Sequence, residues 1–376
     1  MINISASERN RHEYYMRMAL SLARRGIGRV SPNPRVGCVI VDYASPDGHV
    51  VSRGYHKQYG GPHAEAAALA DAGRSVCGCT AYVTLEPCCH TGHTPPCCDA
   101  LIKAGITRVV AGMADPDPRV SGGGVRALES SGAEVICGVL EDECRRINRG
   151  FIKRVNDGRP WVTIKSALST DGRVALPNGE SQWITGVAAR RKAHMLRAEN
   201  DVVMVGIGTV LKDDPKLNVR DTDGKSPMKA IVDRDLASPD GAAALMDGER
   251  LIFTGRPARQ KRAAQLRNAG IKIVELETGE DGHISPSAIL NELGAMGMNY
   301  LMIEGGAGLV GSFLKSGNVD ELSLFIAPKL MGRGMTMTSG LSFSLMDEVV
   351  EIKDLDIRRV GEDVWLRGTP SCSRAL

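Results

Sequence analysis

In "HEYYMRMALSLARRG", Tyr15, Met18, Ala19 and Leu22 recur at helical spacing and Gly26 supplies a stop, which predicts an opening helix buried along one face. Two apolar runs, "RVGCVIVD" and "HVVSRGY", flank the turn signal "SPDG" and predict a hairpin. The pattern then switches between periods. "HAEAAALADAG", "PPCCDALIKAG" and "GGVRALESSG" read as helices, and "TAYVTLE", "ITRVVAGM" and "AEVICGVL" as strands, the alternation of a parallel sheet with crossover helices. A charged helical segment, "EDECRRINRGFIKRV", leads into the linker-like "NDGRP", which puts a domain boundary near Asp157.

The second half alternates again. It begins with "PWVTIKSALSTDGRV"; "DVVMVGIGTV", "KAIVDRD", "RLIFTG" and "NYLMIEG" read as strands, with "ARRKAHMLRAEN", "ARQKRAAQLRNAG" and "SPSAILNELGAMG" as helices. At the end "VDELSLFIAPKL", "EVVEIKDLDIRRVG" and "EDVWLRG" follow one another with no helix between them, which predicts an antiparallel edge. The reading is therefore an α/β protein of two domains, residues 1–150 and 158–376. The length of 376 residues agrees, since single cores stop growing near roughly 300.

Composition narrows the class. Hydrophobic residues make up 43% and charged residues 24%, the balance of a globular chain. A formal net charge of +3, dispersed basic residues and 4% aromatics argue against a nucleic-acid surface. The N-terminus is charged where a signal peptide needs an apolar stretch, and no run approaches a membrane span, so a cytoplasmic protein with no membrane partner is expected. Nine of the ten cysteines precede residue 145, a clustering that points to metal or catalysis over a disulfide framework.

The chemistry concentrates in "TLEPCCHTGHTPPCC". Catalytic zinc takes three protein ligands and keeps a position for water. "GPHAEAAAL" places His63 and Glu65 at a helix opening, "LEPC" ends a strand at Cys88, and "PPCCDALI" opens the next helix at Cys97, so His63, Cys88 and Cys97 are the candidate ligands. Nucleobase deaminases carry H-x-E followed by P-C-x-x-C, the Glu serving as general acid and base without touching the metal. His63-Ala64-Glu65 matches the first half. The second half is stretched, with Cys97 nine positions beyond Cys88, so a loop must bulge out and return a thiolate. A structural Cys3His site using Cys89 or Cys98 is the competitor, but it has no use for Glu65, and adjacent cysteines on a helix point in different directions. A zinc-stabilised RNA-binding module is the rival of another class, disfavoured by the low charge and few aromatics.

With "SPNPRVGCVIV" and "GYHKQYGGPHAEAAAL", these strings closely resemble the bifunctional riboflavin-biosynthesis deaminase/reductase family. In the second half "KSALSTDGRVA", "GESQWITG", "TVLKDDPKLNVR", "IEGGAGLVGSFL" and "APKLMG" agree independently. The resemblance implies a cytidine-deaminase-like three-layer α/β/α domain followed by a dihydrofolate-reductase-like α/β domain. The first would use Zn2+ on His63, Cys88 and Cys97, with Glu65 shuttling protons, to replace the C2 amine of a diaminopyrimidinone ribosylamino phosphate with oxygen. Asn33, His56 and His90 would meet that substrate. Two departures stand out: Cys89 replaces a frequent Ser, and His93 a frequent Lys or Arg. Within the same superfamily, a cytosine, cytidylate or tRNA-adenosine deaminase is the nearest rival, and the stretched spacing weighs against it.

Gly306, Gly308 and Gly311 form a G-x-G-x-x-G after a predicted strand, which supports a phosphate-binding turn at a helix N-terminus. It comes too late in its domain for a Rossmann fingerprint. The resemblance implies NADPH on Ala167, Trp183, Thr209, Asp213 and the loop Gly306, Ala307, Gly308, Leu309, Val310, Gly311 and Ser312. Substrate would meet Ser181, Arg197, Leu217, Arg220 and Glu304, the two arginines being suited to its phosphate. Lys165 and Asp213 are candidates for proton handling. A homo-oligomer is expected from family habit alone.

Overall fold

The structure, a computed structural model, describes residues 5–90, 95–118 and 120–371. The chain divides into two compact units, Met1–Asp157 and Gly158–Leu376.

The first unit opens with α1 (Ala6–Ala23), capped by the Ser5 hydroxyl, which accepts from the Glu8 N–H. The α-helix ends three residues before the expected stop, and Arg24–Gly26 form a single tighter turn. After the hairpin β1 (Gly37–Asp42) and β2 (His49–Tyr55) come α2 (Ala64–Asp71), β3 (Thr80–Val83), α3 (Cys97–Lys103), β4 (Arg108–Ala111), α4 (Gly123–Ser130), β5 (Glu134–Cys137) and α5 (Glu141–Asp157). The sheet order is β2-β1-β3-β4-β5. β1 runs antiparallel to both neighbours, whereas β3, β4 and β5 are parallel, as their crossover helices require.

Two glycines let helices lie directly on the sheet. A Cβ on Gly37 would fall 2.0 Å from the Ala19 carbonyl oxygen of α1, and one on Gly54 would fall 2.3 Å from both Ala64 O and Ala68 N of α2. α1 is joined by α5, whose apolar face sends Cys144, Ile147, Phe151 and Ile152 into the core. The charged segment thus belongs structurally to the first unit and runs to its end at Asp157. α2, α3 and α4 pack in succession as the other helical layer.

The second unit contains β6 (Trp161–Ser169), β7 (Arg173–Ala175), α6 (Val187–Glu199), β8 (Val202–Gly206), α7 (Ile207–Asp213), β9 (Met228–Val232), β10 (Arg250–Gly255), α8 (Gln260–Asn268), β11 (Lys272–Leu276), α9 (Pro286–Ala295), β12 (Tyr300–Ile303), α10 (Ala307–Lys315), β13 (Glu321–Ala327), β14 (Met335–Thr336), β15 (Ile352–Val360) and β16 (Asp363–Pro370). Nine strands form one sheet in the order β11-β10-β9-β8-β12-β6-β13-β16-β15. It is parallel from β11 to β13 and antiparallel from β13 through β16 to β15, the edge expected from three successive strands without a helix.

Several elements depart from the sequence pattern, among them the short β14, which no expected strand covers. "DVVMVGIGTV" is a strand only to Gly206, because Ile207 starts α7. β11 was not expected at all: its residues include Lys272 and Glu275, and as an edge strand paired with β10 alone it needs no continuous apolar run. Among the described residues no helix is long and apolar enough to cross a membrane.

Candidate active sites

His63 is the N-cap of α2, and Cys97 is the first residue of α3, entered through Pro96. Cys88 follows β3 after a short irregular stretch. Their ligand atoms converge within 4.8 Å of one another. The His63 Nδ1 lies 3.6 Å from Cys88 Sγ and 3.4 Å from Cys97 Sγ. A tetrahedral zinc with ordinary Zn–N and Zn–S bonds separates N and S by about 3.6 Å, so the donor set and its spacing fit that ion. The Cys97 N–H points at Cys88 Sγ (3.4 Å). The Cys97 thiol, opposed by burial and assisted by His63, pulls the Cys88 thiol down to about 4, toward the thiolate a metal needs. Cys98 turns away and donates to the carbonyls of Pro87 and Gly124, while Cys89 packs toward Gly123.

A cavity of about 390 Å3 opens beside this cluster, lined by Asn33, His56, His63, Glu65, Cys88 and His90 among others. Glu65 is fully enclosed, and burial raises its carboxyl to about 7. His56 is buried with both ring nitrogens engaged, Nδ1 with the Pro62 carbonyl (2.9 Å) and Nε2 with Asn33 Nδ2 (3.1 Å). That pattern suits a neutral ring that donates from Nδ1 and accepts at Nε2, orienting the Asn33 amide. His90 lines the cavity from an exposed position. His93 lies outside the described residues.

In the second unit a cavity of about 270 Å3 brings together Lys165, Ala167, Ser181, Trp183, Glu304, Gly306, Ala307 and Val310. Lys165 and Ala167 come from β6, Glu304 from the end of β12, and the glycines from the turn into α10. Gly305 and Gly306 have φ of +134° and +83°, and a Cβ on Gly306 would meet the Thr209 hydroxyl at 3.4 Å. This bare turn at a helix N-terminus, facing an exposed Trp183 under the Arg190 guanidinium, suits a flat, phosphate-bearing cofactor.

Glu304 is buried between two cations. Arg197 grips it with Nε and Nη2, and Lys165 Nζ stands 3.7 Å away. Burial alone would raise its carboxyl, but the cations outweigh it and hold it at about 2. Arg197 also donates from Nη1 to the Asn218 carbonyl (2.8 Å). The adjacent Leu217 is buried in a left-handed conformation, φ +51°, uncommon for a bulky residue. Asp213, at the end of α7, and Arg220 are exposed and do not line the cavity. Gly308, Leu309, Gly311 and Ser312 lie within α10. Gly311 faces away from the turn, where a Cβ would sit 2.1 Å from the Ser339 carbonyl oxygen.

The model of the RibD C-terminal domain matches residues 160–366, and that of the cytidine and deoxycytidylate deaminase zinc-binding region matches residues 9–113. The riboflavin biosynthesis protein RibD of Aquifex aeolicus is 40% identical over 351 residues, covering 93% of this chain and 96% of that one. Its Escherichia coli counterpart is 40% identical over 371 residues, covering 94% and 98%.

This chain belongs to the RibD family.

Solved RibD structures agree. That of Acinetobacter baumannii superposes with a TM-score of 0.87 at 38% identity, covering 96% of this chain and 99% of that one. A Thermotoga maritima protein, described as a diaminohydroxyphosphoribosylaminopyrimidine deaminase/5-amino-6-(5-phosphoribosylamino)uracil reductase, gives 0.84 at 33%, covering 96% and 99%. The two units are accordingly the cytidine-deaminase-like α/β/α domain and the dihydrofolate-reductase-like domain of a RibD protein.

Three acidic residues lining the first RibD cavity escaped the sequence reading: Glu86, Asp115 and Asp117. Glu86 is buried and accepts four backbone N–H groups, from Asp115, Gly122, Gly124 and Val125, at 3.0 to 3.2 Å. Burial raises Asp115 to about 7. "LEPC" and "DPDP" carried the only signal available, a carboxylate beside prolines, and neither string says that the two segments meet.

Proposed function

We propose that the chain catalyses two consecutive steps of riboflavin biosynthesis: hydrolytic deamination of 2,5-diamino-6-(5-phosphoribosylamino)pyrimidin-4(3H)-one, then reduction of the ribosyl group of the resulting 5-amino-6-(5-phosphoribosylamino)uracil to ribityl. The observation that carries the reading is the meeting of His63, Cys88 and Cys97 at zinc-like separations beside the enclosed Glu65, in a chain of the RibD family.

In the first site His63, Cys88 and Cys97 would hold Zn2+. When bound, the ion supplies Lewis-acid activation of water near neutral pH. Glu65 accepts the proton of the attacking water and returns it to the leaving amine, so that water and the C2 amine become a carbonyl and ammonia. A carboxyl raised to about 7 suits both directions of transfer. Asn33, fixed by His56, orients the base, and His90 meets it from the cavity wall.

In the second site bound NADPH would supply a hydride for the reduction at C1'. Ala167, Trp183, Thr209 and the turn from Gly306 would hold the nicotinamide and its phosphates, with Asp213 nearby. Lys165 delivers a proton to the sugar from its place beside Glu304. Because the Arg197 guanidinium already grips Glu304, the substrate phosphate falls mainly to Arg220, with Ser181 and Leu217 shaping the site. We place the enzyme in the cytoplasm on its charged N-terminus and lack of a long apolar run, and as a homo-oligomer on family resemblance alone.

The test is to incubate purified protein with the diaminopyrimidinone ribosylamino phosphate and follow ammonia release and NADPH oxidation. Both signals are expected in sequence. Absence of ammonia release would remove the deaminase assignment, and ammonia without NADPH oxidation would remove the reductase assignment.

A further inference from the structure

The deaminase cavity is acidic. Glu65, Glu86, Asp115 and Asp117 all line it, although Glu86 is occupied by its four backbone donors. The proposed substrate adds a phosphate dianion. Bringing that charge up to a partly buried acidic wall is costly unless a cation faces it.

The described lining contains few cations. His63 belongs to the metal cluster. His56 is buried with one nitrogen on the Pro62 carbonyl and the other on Asn33, the arrangement of a neutral ring. His90 is an exposed imidazole. The one Lys or Arg among the described lining residues is Arg154, reaching in from α5.

Arg154 is also held in place. Its Nη2 donates to the Pro32 carbonyl (2.8 Å), and its guanidinium lies 5.9 Å from the centre of the Phe151 ring, one turn back on the same helix. Pro32 immediately precedes Asn33, so the cation is tied to the segment that presents the base-reading amide. A permanently charged planar fork is suited to phosphate oxygens, and a positioned one loses little freedom on binding.

We propose that Arg154 is the residue of the deaminase site that reads the substrate's 5'-phosphate, making the first step selective for the phosphorylated compound. The proposal rests on the functional reading above and adds a determinant from a helix outside the zinc-binding region, since that region ends at residue 113.

The experiment compares ammonia release from the phosphorylated substrate and from its dephosphorylated counterpart, using full-length wild type, Arg154→Met and Arg154→Lys. Loss of a charge-assisted contact should raise KM for the phosphorylated substrate in Arg154→Met by about tenfold to a hundredfold. KM for the dephosphorylated compound and the turnover number should stay within about twofold of wild type. Arg154→Lys should recover part of the difference. Zinc content and the melting of the first unit report whether each variant is folded there. Equal weakening toward both compounds would overturn the proposal, because Arg154 would then only brace Pro32 and Asn33. An unchanged phosphate preference would overturn it too. Wild type that deaminates neither compound would instead sink the functional reading itself.

Discussion

Glu65 and Lys165 each line a cavity, one from a helix start and the other from a strand. Glu65 is a carboxyl that burial makes reluctant to ionise, whereas burial lowers the ammonium of Lys165 and Glu304 opposes that shift. Each is therefore easier to move across its titration than its free counterpart, which is what proton transfer requires. Glu65→Gln should cut ammonia release by about a hundredfold to ten-thousandfold with zinc content and NADPH oxidation unchanged, checked by metal analysis and the two assays. Lys165→Met should do the reverse, lowering reductase turnover with deamination intact; unchanged reduction would remove Lys165 from the mechanism. Glu304 makes a pH prediction. Its folded value of about 2 lies below the ordinary 4.5, so its stabilisation is fully present above about pH 4.5 and is lost as pH falls toward 2. On the order of 3 kcal/mol is at stake. Thermal melts of wild type should fall more steeply across that window than those of Glu304→Gln, which should start lower and change less.

At the scale of elements, the deaminase site is assembled where strands end and helices begin. His63 caps α2, Cys97 opens α3, and Glu86 bonds the N–H groups of Gly124 and Val125 at the start of α4. Glu86 also holds the Asp115 N–H, so one carboxylate ties the segment leading into Cys88 to the acidic cavity wall. Glu86→Gln replaces an acceptor oxygen with a donor facing backbone N–H groups, which should cost about 2 kcal/mol or more. The expected result is a lower Tm for the first unit and a raised KM for deamination, with the second unit's melting and NADPH oxidation preserved. Unaltered Tm and KM would show that the four bonds are dispensable. The helices themselves were legible because their apolar positions repeat. β11 was passed over although Ile273, Val274 and Leu276 lie in it, because Lys272 and Glu275 break the apolar run, and the end of β8 was misplaced because Gly206-Ile207-Gly208 reads equally as strand or helix start.

For the whole molecule, the two chemistries sit in separate compact units, each with its own core and cavity. Only the first contains a candidate metal cluster among the described residues. Stripping metal with a strong chelator should therefore abolish ammonia release and leave NADPH oxidation with the deaminated substrate unaffected, and adding zinc back should restore the first activity. Parallel loss of both would contradict metal dependence confined to one unit.

The sequence by itself determined what is local or repeated: the alternation of strands and helices, and the family strings in both halves. It could do so because period, turn chemistry and motif spacing are properties of neighbouring positions. Only the tertiary structure decided which distant groups meet. Arg197 closes on Glu304 from 107 positions away, Arg154 reaches Pro32 from 122, and Glu86 gathers N–H groups from up to 39 residues downstream. Those contacts exist because burial leaves a charge with no water and the fold supplies a partner, and no local pattern along the chain records which partner that is.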